Sequence, residues 1–149
     1  MLIHDCLISG AKALYGGGIC LAGSNSTVSD CNISGNEAEY GGGGFWHKSK
    51  VTIENCNITD NANPADMQYS FYGIYLTTSS NAYIANCTIA RNNYTGDSMG
   101  LSAGVYAERN SHALVLNNTI MQSCFGLYSR SFASVDVWPE VEDDTEVEI

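Results

Sequence analysis

This 149-residue chain lacks most of what would mark it as helical, membrane-spanning or nucleic-acid-binding. Charged residues make up 15% of it, against about a quarter in an ordinary globular protein. Lys and Leu are scarce, while Asn, Ser, Thr and Gly are abundant, a mix that weakens helices and suits strands and turns. No window of ten or more residues repeats apolar side chains at three- and four-residue spacing, which excludes an amphipathic helix. No apolar run approaches the ~20 residues of a membrane span. "MLIHDC" has neither the basic start nor the apolar stretch of a signal peptide. Met1 stands directly before strand-like sequence, as in a segment cut from a longer chain.

Basic residues are few as well. The net charge of −10 argues against a nucleic-acid partner on electrostatic grounds. Seven acids (Asp136, Glu140, Glu142, Asp143, Asp144, Glu146 and Glu148) crowd the last fourteen residues, so the body carries nine acids against six bases. The six cysteines include no Cys-x-x-Cys and no metal-ligand spacing.

What the chain does have is a repeat. "DCLIS" (5–9), "DCNIS" (30–34), "NCNIT" (55–59), "NCTIA" (86–90) and "NNTIM" (117–121) align without gaps. Cys6, Cys31, Cys56, Cys87 and Asn118 fall in one column, at steps of 25, 25, 31 and 31 residues. Ile8, Ile33, Ile58, Ile89 and Ile120 form a second column, and Ile3, Val28, Ile53, Ile84 and Val115 a third. A second block follows in each unit: "GGGICL" (16–21), "GGGFWH" (42–47), "YGIYL" (72–76), "AGVYA" (103–107) and "FGLYS" (125–129). Short alternating segments in units of 25 to 31 residues predict an all-β parallel solenoid of about five coils, each unit one lap. The expected limits are residues 1–135 for the solenoid and 136–149 for an acidic end with room for one last strand.

Within this scheme Ile and Cys point inward, and the stacked thiols are expected to be free, because parallel Cβ vectors suit a disulfide poorly. Ile53 and Cys56 both face inward although three apart. That requires a bend at Asn55 and its equivalents, in the left-handed region that Asn and Asp tolerate. The glycine runs are expected to supply positive φ or close approach at turns. His47 precedes Lys48-Ser49 where a phosphate-binding loop needs Gly, so that motif fails. No G-x-G-x-x-G and no calcium-binding nonapeptide occurs either.

"ISGNEAEYGGGGF" (33–45) resembles the paired I/F-x-x-N and G-G-x-I signatures of polymorphic outer-membrane-protein repeats. More broadly, residues 2–135 resemble right-handed parallel β-helix repeat proteins of the pectate-lyase-like superfold. The I-x-x-N half stands at Ile33–Asn36, Ile58–Asn61 and Ile89–Asn92, with Ala11 and Ser123 instead in the first and last coils. The resemblance implies a secreted or surface-displayed protein: an adhesin, a passenger segment or a polysaccharide-binding stalk. It equally admits lyases and glycosidases.

The residues favour a non-catalytic role. The N-T-D, D-D, H-G and R-I-K set of polygalacturonase-like enzymes is missing from the coils, and the body's bases share no repeated column with acids. Arg91 and Asp60 occupy equivalent positions on neighbouring coils and are expected to form a surface ion pair. His4, His47 and His112 occupy different coil positions, so no metal site is expected from them. Asp143 and Asp144 offer calcium a weak acidic site.

The candidate ligand-binding residues are a column read as pointing outward after the inward apolar position: Trp46, Tyr75, Tyr106 and Tyr128, with Cys20 in the first coil. Sugar rings stack on such aromatics. Two insertions, 62–72 and 93–103, add Asp66, Tyr69, Tyr94 and Asp97 as loop candidates. The expected partner is a polysaccharide or further copies of the chain, as an adhesive scaffold. The alternatives are a filament built by solenoid stacking and a fragment of a polysaccharide lyase or hydrolase.

Overall fold

The structure is a computed structural model, and it describes residues 1–62, 71–92, 102–121, 125–130 and 133–138. The described residues form strands joined by bends and turns, with no helix among them and hence no helix able to cross a membrane. Three parallel sheets run along one axis.

Sheet I stacks Leu2–His4, Asn25–Ser29, Lys50–Glu54, Asn81–Ala85, His112–Leu116 and Ser134–Trp138. Sheet II stacks Leu7–Ser9, Asn32–Ser34, Asn57–Thr59, Thr88–Ala90 and Thr119–Met121. Sheet III stacks Ile19–Ala22, Gly44–His47, Phe71–Thr77, Ser102–Glu108 and Phe125–Arg130. A short fourth sheet pairs Lys12–Tyr15 with Glu37–Tyr40. The last strand of sheet I pairs with the fifth through Trp138, past the boundary expected at residue 135. Pro139 and the acidic residues beyond it lie outside the described residues.

The predicted columns are the registers of these sheets. Ile8, Ile33, Ile58, Ile89 and Ile120 pair lap to lap. Ile3, Val28, Ile53, Ile84 and Val115 do the same in sheet I. Because side chains alternate across a strand, these columns all face the interior, and from Val28 and Ile33 onward they are fully buried. Each buried Ile contributes about 1.5–3 kcal/mol relative to exposure.

Three corners turn the chain, and a column of polar side chains satisfies the backbone at each. Between sheets I and II, Asp5, Asp30, Asn55, Asn86 and Asn117 all have φ between 49° and 55°, the left-handed bend that lets Ile53 and Cys56 both face inward. The thiols then donate to carbonyls: Cys31 to Ser29 O at 3.0 Å, Cys56 to Glu54 O at 3.1 Å and Cys87 to Ala85 O at 3.2 Å. All five described cysteines are free thiols, and Cys124 lies outside the described residues. Burial pushes the Cys31 thiol up. Its hydrogen-bonded pairing with Cys87, together with burial, pushes Cys56 up. In the fifth lap Asn118 takes the cysteine's place and accepts the Cys87 N–H through Oδ1 at 2.7 Å.

Between sheets II and III, Asn36, Asn61 and Asn92 form a buried ladder. Asn36 Nδ2 donates to Asn61 Oδ1 at 3.0 Å, and Asn61 Nδ2 to Asn92 Oδ1 at 2.9 Å. Each Nδ2 also donates to a carbonyl of the preceding lap: Ile8, Ile33 or Ile58. At the third corner Ser49, Ser80 and Ser111 accept backbone N–H groups from the lap before.

The first and last of the four consecutive glycines, Gly41 and Gly44, each have a structural reason. Gly16 and Gly41 both turn at positive φ, 57° and 67°. Register then places Gly44 over Ile19 and under Ile74, in an inward apolar position. A Cβ at Gly44 would overlap the Trp46 ring. The fourth glycine is therefore the space occupied by an indole.

Candidate functional site

The register corrects the aromatic column. Trp46 pairs with Leu21 and Leu76, faces the interior and is 1% exposed. It is not part of any outward stripe, and its indole N–H has no partner among the described residues. The outward column is Cys20, Phe45, Tyr75, Tyr106 and Tyr128. The reason is a one-residue slip, which exchanges the two faces of a strand.

Nor is this column freely exposed. Tyr75 is 8% and Tyr106 4% exposed, and their rings meet edge to face at 5.3 Å. Phe45 meets Tyr75 the same way at 5.2 Å. For Tyr128 the structure gives the strand position, in register with Tyr106, and no side-chain environment. Asp66, Tyr69, Tyr94 and Asp97 lie outside the described residues, as do Asp143 and Asp144. The two insertions carrying the first four occupy equivalent places. Both follow the Asn61/Asn92 rung, and the chain re-enters register at Phe71 and Ser102.

Two residues that the column reading missed complete the aromatic face. Tyr15 and Tyr40 end the strands of the short fourth sheet and pair in register. Their rings stack at 5.1 Å and 20°, and Tyr15 also packs on Phe45 at 4.9 Å. The signal was present in the sequence, since Tyr15 and Tyr40 each precede a glycine run and stand 25 residues apart. Tyr15 is 45% exposed.

Against these rings lies an open groove of about 510 Å3, lined by Tyr15, Cys20, Ala22, Tyr40, Phe45, His47, Tyr75, Thr77 and Arg109. It exists because the first lap carries Cys20 and Ala22, small side chains, where the second carries Phe45 and His47. Burial pushes the Cys20 thiol up, so it is not an activated nucleophile.

At the upper end of the groove Glu108 gathers hydroxyls. Tyr75 donates to its Oε1 at 2.5 Å, Thr77 to the same oxygen at 3.2 Å and Tyr106 to Oε2 at 3.2 Å. Burial, then the hydrogen bond to Glu108, pushes the Tyr75 phenol well above its ordinary range. Arg109 Nε lies 3.2 Å from Glu108 Oε1.

Elsewhere Arg91 grips Asp60 through two bonds of 2.6 and 2.7 Å, the surface pair expected from their spacing. The guanidinium holds the Asp60 carboxyl below its usual range. The three histidines are not brought together: His4 bonds Ser29 and Asp30, His112 bonds Ser134, and His47 lines the groove. No cluster of three or more His, Cys, Asp or Glu suited to a metal occurs among the described residues.

A wound stack of parallel sheets with inward Ile ladders and polar corner ladders defines a solenoid scaffold. The family model described as right-handed β-helix region matches residues 1–137, and the chain belongs to that family. The chain matches no curated protein and no solved structure.

Proposed function

We propose that the chain is a non-catalytic binding segment of a secreted or cell-surface protein, and that the groove beside Tyr15, Tyr40 and Phe45 holds a glycan. The observation that carries this reading is the groove's composition: aromatic rings along one wall, with Thr77, His47 and Arg109 as polar groups around it. Flat apolar faces with convergent polar groups suit sugar rings, which are apolar on their C–H faces and polar at their edges.

Ring spacing also argues for a platform. Neighbouring centroids stand 4.9 to 6.4 Å apart, too close for a ligand group to enter between them, so a ligand lies against the rings. The accessible part is the first two laps, because Tyr75 and Tyr106 are buried.

The test is a glycan array followed by calorimetry on each hit, with Tyr15→Ala and Phe45→Ala as variants. Each is expected to weaken binding about tenfold. Tyr83→Ala, on sheet I away from the groove, should leave binding unchanged. Hits that survive both groove substitutions, or an array without hits, would overturn the proposal.

A further inference from the structure

One short motif recurs along the chain and has no part in the groove. Asn-x-Ser/Thr, the acceptor sequence for an asparagine-linked glycan, stands at Asn25, Asn32, Asn57, Asn86, Asn93 and Asn117. The fold sorts the asparagines. Each acceptor among the described residues is exposed, whereas the buried Asn36, Asn61 and Asn92 carry no such motif.

Two copies lie on sheet II. Asn32-Ile33-Ser34 and Asn57-Ile58-Thr59 are whole strands of that sheet, paired in register. Alternation puts the asparagine and the hydroxyl residue on the outer face and the isoleucine in the core. The burial pattern follows it: Asn32 and Asn57 are exposed, Ser34 and Thr59 half-buried, and Ile33 and Ile58 buried. Neither Asn32 nor Asn57 bonds a described residue through its side chain. Asn86 and Asn117 differ. They sit at left-handed corners, and Asn117 Nδ2 donates to Asn86 Oδ1 at 2.8 Å.

The face around the sheet II pair has a second property. None of its five strands, from Leu7–Ser9 to Thr119–Met121, contains a charged residue. A flat face without charge lacks the ordinary protection of a protein surface against association. A bulky, solubilising group attached at its centre supplies that protection.

We infer that Asn32 and Asn57 are acceptor sites for asparagine-linked glycans, which cover the outer face of sheet II and leave the groove beside sheet III open. In the transfer, Nδ2 attacks the anomeric carbon of an oligosaccharide carried on a lipid pyrophosphate. The N–C bond forms, the bond from that carbon to the pyrophosphate oxygen breaks, and the amide gives up one proton as the lipid pyrophosphate leaves. No core or ladder hydrogen bond is lost, because neither side chain makes one. The inference rests on the secreted or cell-surface half of the proposed function and is independent of what the groove binds.

The experiment is secretion of the 149-residue chain, behind a cleavable leader, from a eukaryotic cell with an asparagine-glycosylation pathway. Peptide N-glycosidase in heavy-oxygen water then leaves a labelled oxygen at each former acceptor, and mass spectrometry of peptides locates it. Label is expected at Asn32 and Asn57. Asn32→Gln with Asn57→Gln should remove that glycan mass. So should Ser34→Ala with Thr59→Ala, which leaves both asparagines in place. The glycosylated protein and the Gln double variant should melt within about 2 °C of each other. Secreted, cooperatively melting protein without label at Asn32 and Asn57, or with label confined to Asn25, Asn86, Asn93 and Asn117, would overturn the inference while the secreted reading and the groove stand. Glycan found at the pair only on chains that do not melt cooperatively would overturn it as well. Retention in the cell of wild type and both double variants alike would overturn the secreted reading and this inference with it.

Discussion

Replacing Asn61 by Ala should be among the most damaging single substitutions in this protein, although it removes only an amide. Asn61 is 2% exposed and occupies the middle rung of the buried ladder. Its Oδ1 accepts the Asn36 backbone N–H at 3.1 Å and Asn36 Nδ2 at 3.0 Å. Its Nδ2 donates to Ile33 O and to Asn92 Oδ1, both at 2.9 Å. Truncation leaves the Asn36 N–H and one Asn36 amide hydrogen without acceptors, and Ile33 O and Asn92 Oδ1 each lose a donor. A buried orphaned donor costs about 1–3 kcal/mol, so with two of them the expected loss is about 3–5 kcal/mol. That is a large share of the roughly 5–15 kcal/mol stability of a typical domain.

Asn36→Ala supplies the contrast. Its lap-one neighbour is Ala11, whose N–H bonds Asn36 Oδ1 at the partly buried end of the ladder. Asn36 is fully buried, but two of the groups it releases, Ala11 N–H and Ile8 O, lie at that partly buried end, and the buried one, Asn61 Oδ1, keeps the Asn36 N–H, so the loss should be about 1–2 kcal/mol. Urea unfolding of both variants measures the two values. A loss below about 1.5 kcal/mol for Asn61→Ala, or equal losses for the two, would refute the reasoning.

Other expectations follow from the same geometry. Gly44→Ala places a methyl against the Trp46 ring and should cost about 1–3 kcal/mol by overpacking. The double variant Gly44→Ile/Trp46→Leu copies the Ile-x-Leu of Ile19–Leu21 and Ile74–Leu76 and should recover most of that loss by thermal melting. In a Cys124→Ser background, Cys6 and Cys20 should react with a thiol reagent in the native state, and Cys31, Cys56 and Cys87 only on unfolding. Asp60 has a folded pKa depressed by Arg91. Its stabilising contribution is therefore present above the unfolded carboxyl value of about 3.9 and disappears as pH falls through the folded one. Asp60→Asn should lower the melting temperature slightly near pH ~6 and leave no difference near pH ~2.

The fold was legible because the signal was a column and not a propensity. Five isoleucines at fixed steps can line up only if each step is one lap, and the Asn or Asp before each Cys-column residue marks the bend that keeps Ile53 and Cys56 on one side. The aromatic face was legible only in part. Four consecutive glycines permit two alignments with the three at Gly16–Gly18, and starting from Gly42 in place of Gly41 moved Trp46 to the wrong face. The constant step of 25 residues would have settled it by placing Cys20 over Phe45 and Leu21 over Trp46. The groove itself was not legible. It depends on Cys20 and Ala22 being small next to Phe45 and His47, and on Tyr15 and Tyr40 swinging in from a separate short sheet.

In-register stacking is the premise of the whole account, and methyl NOE spectroscopy on isoleucine-labelled protein tests it most directly. Ile33 should show cross-peaks to Ile8 and Ile58, and Ile89 to Ile58 and Ile120, as neighbours about 4.8 Å apart along the axis. Strong cross-peaks that skip a lap, or none between residues 25 or 31 apart, would contradict it.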